Sequence, residues 1–188
     1  MPRLVRLCAF AAPSLMLVYG LLRLVDGLNG RRHDGPAWDL GHLAFFAAIV
    51  LFAVLAVALR GLDRPAARWR RVAVDAATAA ALFGAGCFLW VIAGDLSAGF
   101  HTAAPLPDAL EVPGPLLFQL GLLVLLVRLV LARRLPAWSP VVVLLGFAAI
   151  GVNLDLLPLG AAMVLVALLP LALSRERLTN GSRRPLVS

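Results

Sequence analysis

The chain has 188 residues, of which 62% are hydrophobic and 14% charged, and it carries a formal charge of +7. Soluble domains of this size carry about a quarter charged residues, so there is too little polar surface to clothe a water-soluble globule. The apolar stretches are apolar on every face rather than along one stripe, which points to lipid contact. The excess positive charge sits beside these runs and fits anionic lipid headgroups better than it fits nucleic acid.

All 17 basic residues are arginine. With heavy use of Ala, Leu, Val and Gly, this reads as the codon bias of a GC-rich bacterial genome.

Uncharged runs cover 7–22, 43–59, 76–94, 112–127, 135–154 and 156–174, each of 16 to 20 residues. Flanking residues bring each run to the roughly 20 that cross a bilayer core. The pattern predicts an all-α integral membrane bundle of six transmembrane helices, near 7–28, 37–60, 72–95, 113–134, 138–155 and 158–174. Residues 1–188 then form a single transmembrane domain, with 175–188 a short basic cytoplasmic tail.

The first run follows Met-Pro-Arg-Leu-Val-Arg, as a signal peptide would. It is long, no A-x-A-like site follows it and no lipobox precedes Cys8, so a retained first span is expected. Pro36, Pro115 and Pro158 fall at the starts of the second, fourth and sixth helices, where a missing N–H costs nothing. In the third helix, Ala77 with Ala81 and Ala80 with Gly84 are small residues four apart. That spacing lets backbones approach and predicts a central place for this helix, with the Leu- and Val-rich fourth facing lipid more. Asp26 before Leu28, Asp95 before Leu96 and Asp155 before Leu156 close the odd helices, while Gly35-Pro36 and Gly114-Pro115 open two even ones. Three tandem helical hairpins would produce this repetition.

The connectors alternate in charge. One side collects 14 arginines, and the other collects Arg23, Arg31 and Arg32 with seven of the ten acidic residues. The positive-inside rule then assigns both termini to the cytoplasm and the chain to a bacterial inner membrane. Trp38, Trp69, Trp90 and Trp138 all fall at predicted interfaces, where an indole is favoured. Arg64, Arg68, Arg70 and Arg71, around Trp69, read as a basic turn that grips lipid headgroups.

The membrane centre is chemically quiet. Its polar members are Ser14, Thr78, Gln119 and Asn153, and it holds no carboxylate, lysine or histidine at mid-depth. Coupled pumps usually need such charges. For Gln119 and Asn153, hydrogen bonding across helices is the expectation.

The acidic side is richer. Asp39 and His42 lie three apart and so share a helix face. Asp26, Asp95 and Asp155 end odd helices on that side, His33 and His101 lie in its loops, and Arg23 stands one turn before Asp26 as its expected partner. Two readings follow. In the first, these are boundary residues of a non-enzymatic component, a structural or assembly partner or a small-solute carrier, needing no cofactor and working with another membrane protein. In the second, Asp39, His42, Asp95 and His101 form an outward pocket of a membrane enzyme or metal-binding protein, with a divalent metal on His42, Asp39 and His101. HExxH, GxSxG and GxxxxGK[ST] motifs are absent from the sequence. Cys8 and Cys87 are expected at different depths, as small buried hydrophobes rather than a disulfide.

Overall fold

The computed structural model describes residues 1–28, 35–62 and 67–174. The long uncharged runs fold as helices because, away from water, each backbone N–H and C=O must find its partner within the segment. Helix α1 spans Arg3–Leu28, α2 Pro36–Gly61, α3 Arg68–Leu96, α6 Pro113–Leu131, α7 Trp138–Val152 and α8 Leu157–Ala172. Short helices α4 (Ala98–Ala103) and α5 (Asp108–Glu111) fill the connector after α3, and a 3-10 turn, Leu154–Leu156, leads into α8. No strand occurs among the described residues. This is the all-α bundle expected from the sequence.

The span count is less uniform than the sequence suggests. Among the described residues five helical segments are long and apolar enough to cross a membrane, whereas Trp138–Val152 is shorter. Its 15 residues reach roughly 22 Å at 1.5 Å per residue. This helix ends at Val152 rather than 155 because Asn153 turns extended, and its side chain accepts from the Asp155 amide at 2.8 Å. Asn153 is therefore an exposed local cap, not a bridge between helices. Helix α6 stops at Leu131 rather than 134 for a similar reason. Arg133 adopts a left-handed φ of 55°, and the amides of 132–134 fold back onto the carbonyls of Arg128, Val130 and Leu129. The tail beyond Ser174 lies outside the described residues.

Consecutive long helices pair as three hairpins, α1–α2, α3–α6 and α7–α8. Contacts of α1 with α8, α2 with α3 and α6 with α7 close them into a ring. Phe118 of α6 fills the middle, meeting Phe52 of α2, Phe88 of α3 and Phe147 of α7 edge-to-face at 5.8, 5.6 and 5.9 Å. Edge-to-face packing matches ring edges to π faces, so the centre is plugged by aromatic rings.

Helix α3 is not central. It sits in the ring between α2 and α6, and it is no more buried than the α6 segment. Its small residues serve one neighbour. A Cβ on Gly121 of α6 would overlap the Ala77 carbonyl and come 2.6 Å from Ala81 N, and one on Gly114 would come 2.6 Å from the Cys87 Cβ. Two smooth surfaces thus meet backbone to backbone, where dispersion and close dipoles replace the hydrophobic effect that lipid cannot supply. Outward, Leu7, Phe10, Leu43, Phe46, Phe83, Leu120 and Leu145 are all exposed, a surface suited to acyl chains.

The arginine-rich helix ends gather at one end of the bundle. Arg6 Nε donates to the Ala172 carbonyl (3.2 Å), Arg134 Nη1 donates to the Leu62 carbonyl (3.0 Å), and Arg60 pairs with Asp75 at 2.6 Å. Leu62 and Ala172 end α2 and α8, so cations meet the negative ends of two helix dipoles.

Candidate functional site at the acidic end

Asp95 lies in the last turn of α3 and His42 in the second turn of α2, and the hairpin order brings these ends together. His42 is 2% exposed. Its Nδ1 lies 2.9 Å from the Trp38 carbonyl, one turn back on the same helix. A carbonyl only accepts, so Nδ1 carries the hydrogen. The other ring nitrogen, Nε2, faces Asp95 Oδ2 at 3.4 Å. A proton on Nε2 makes this an ion pair; without one, two acceptors would confront each other. The ring is also packed on two sides, against Trp38 at 3.9 Å and Tyr19 of α1 at 5.1 Å between centroids.

Around this pair the polar groups are further tied together. Trp38 Nε1 donates to the Asp95 carbonyl oxygen at 3.4 Å, so α2 and α3 are joined twice within one turn. The Arg23 guanidinium lies near the Tyr19 hydroxyl, one turn away on α1. Tyr19 stacks on Phe45 at 4.5 Å and 7°, and Phe45 meets Phe88 at 5.9 Å. Through Phe88 the polar cluster is continuous with the aromatic plug at Phe118.

Of the residues expected here, His42 and Asp95 come together. Asp39, although three residues from His42, is exposed on the first turn of α2. Asp155 is exposed in the 3-10 turn. His101 is exposed on α4 and rests on the last turn of α3, where a Cβ on Gly94 would lie 3.2 Å from its Nδ1. That loop is pinned by Trp90 Nε1, which donates to the Ala104 carbonyl at 2.8 Å. Asp26 is buried in the last turn of α1 and engaged within the protein. Among the described residues no three His, Cys, Asp or Glu side chains gather as a metal would require. His33, Asp34, Arg31, Arg32 and Arg64 lie outside the described residues.

Tyr19, Arg23 and Trp38 complete the cluster without standing out as site residues in the sequence. Their signal is spacing: Arg23 follows the chain's one tyrosine by four, and His42 follows Trp38 by four. Each pair therefore sits one turn apart on a single helix face.

Elsewhere the hydroxyls find backbone carbonyls. Ser14 and Thr78 each donate to the carbonyl four residues back, at 2.8 Å. Buried Ser139 on α7 donates to the Ala167 carbonyl of α8. Cys8 and Cys87 are buried free thiols. No protein-family model matches this chain, and no curated protein or solved structure matches it either.

Proposed function

We propose that the chain is a six-span, non-enzymatic component of a bacterial cytoplasmic membrane, with both termini inside, acting as a structural or assembly partner. One observation carries this reading: both ring nitrogens of His42 are committed, one to the Trp38 carbonyl and one to Asp95. A metal ligand or general base needs a ring nitrogen aimed at an open target, and each nitrogen here faces a protein group instead. The cluster acts instead as a clasp holding α1, α2 and α3 at their outer ends. The Phe118 plug supports a structural component over a small-solute carrier, since it fills the path a solute would take.

The test is thermal stability of the purified protein in detergent, with and without zinc or copper, beside elemental analysis. A clasp leaves the melting point unchanged by metal, with no stoichiometric metal found, and destabilises when His42 is truncated. A metal-dependent rise of several degrees that disappears in His42→Phe would overturn this reading and favour the metal-binding alternative.

A further inference from the structure

Helices α3 and α6 touch closely at Gly84, Gly114 and Gly121 but part toward the arginine-rich end. Gly121 rests on Ala77 and Ala81. One turn further, Val124 and then Arg128 stand where Ala73 and Arg70 stand on the other helix. Here the two helices border a groove of about 520 Å³ lined by Trp69, Arg70, Ala73, Val124, Arg128 and Leu131.

We infer that this groove is a binding site for one anionic glycerophospholipid. Its polar rim holds two guanidinium groups on opposite walls, and its floor is apolar. Arg128 is half-buried and engaged within the protein, so its position is fixed rather than sweeping the interface. Its planar head, with five donors, can still share hydrogens with a phosphate. Arg70 lies over the Trp69 indole at 5.1 Å, which orients the second guanidinium. Trp69 and Leu131 are 68% and 79% exposed, a large apolar area beside a charged rim. A lipid satisfies both parts at once, with phosphate between the arginines and the start of an acyl chain along Ala73, Val124 and Leu131. A zwitterionic headgroup would bring its ammonium against the two arginines, and free phosphate would leave the apolar wall uncovered. The inference rests on the membrane reading of the fold and not on the role of the His42 cluster.

Native mass spectrometry of the protein released from detergent, with phosphatidylglycerol, phosphatidylcholine of the same chains or inorganic phosphate added, tests it. A one-to-one phosphatidylglycerol adduct is expected, at least about fivefold tighter than phosphatidylcholine, and Arg70→Gln and Arg128→Gln should each weaken it by roughly fivefold. Val124→Trp fills the floor with both charges in place and should abolish the adduct; Val124 is 41% exposed, so the fold has room for the larger ring. Arg3→Gln removes an exposed charge of α1 at the same end of the bundle but outside the groove and should change affinity by less than about twofold. Helical circular dichroism reports on folding, and Arg70→Gln and Val124→Trp carry the test if Arg128→Gln fails to fold. Equal binding of the two lipids, equal loss in the Arg3→Gln control, or displacement of lipid by inorganic phosphate would each overturn the proposal.

Discussion

Asp95 and His42 stand 53 residues apart in sequence and 3.4 Å apart in space, closing the acidic end of α2 onto α3. The contact is one-sided in its surroundings: the His42 side chain is 2% exposed and that of Asp95 37%. Water can therefore reach the carboxylate but not the ring. A double-mutant cycle with His42→Phe and Asp95→Ala, read by unfolding in mixed micelles, should give a coupling of roughly 0.5–1.5 kcal/mol. A coupling near zero would mean that the pair lies close without holding the helices.

The α3–α6 seam gives a sharp contrast between glycines. Gly121→Ala must drive a methyl into the Ala77 carbonyl and Ala81 amide, both backbone atoms, and should destabilise by about 1–3 kcal/mol. Gly86 on the same seam-bearing helix has nothing within 4 Å of a built Cβ, so Gly86→Ala should be neutral or stabilising by roughly 0.5 kcal/mol. Thermal unfolding of the two variants decides, and equal effects would refute the close-packed seam.

Buried hydroxyls should also divide by whether they cross between helices. Ser139 ties α7 to α8, so Ser139→Ala should cost about 0.5–1.5 kcal/mol. Thr78 donates to the Val74 carbonyl within its own helix, where that carbonyl already has an amide partner. The near-isosteric Thr78→Val should stay within about 0.5 kcal/mol of the parent.

The proposed orientation predicts labelling. Arg133→Cys and Asp108→Cys place thiols at exposed positions at opposite ends of the bundle, while the native Cys8 and Cys87 are buried. In intact spheroplasts a membrane-impermeant maleimide should modify the residue-108 thiol and spare the residue-133 thiol until the membrane is opened. The reverse pattern would invert the topology.

Much of this fold is legible from charge and hydropathy, because the lipid environment demands uncharged helical runs and tolerates little else. The alternation of basic and acidic connectors anticipates which ends gather, as Arg6 with Ala172 and His42 with Asp95 show. Helix ends were harder to read, since Arg133 in a left-handed turn and Asn153 in an extended one stop helices inside uncharged or mixed segments. The site was half legible. His42 stands out as an imidazole inside an apolar run, and Asp39 and Asp95 both fall at its level, Asp39 being favoured only because it is near in sequence. The true partner comes from another helix, and that choice depends on the rotation of α2 about its axis, which a chain apolar on every face does not announce. The arginines, too, do more than mark a side: Arg6 and Arg134 close the ends of neighbouring helices.

The brevity of α7 has a consequence for the membrane around it. At roughly 22 Å its helical part falls about 8 Å short of a bilayer core of about 30 Å. Val141, Leu144 and Leu145 on this helix are exposed to whatever surrounds the bundle. Lipids meeting that flank must pinch inward or splay, while lipids beside the longer helices need not. The bundle is therefore thinnest along α7 and the neighbouring 16-residue α8, and hydrophobic mismatch with a bilayer is greatest on that side.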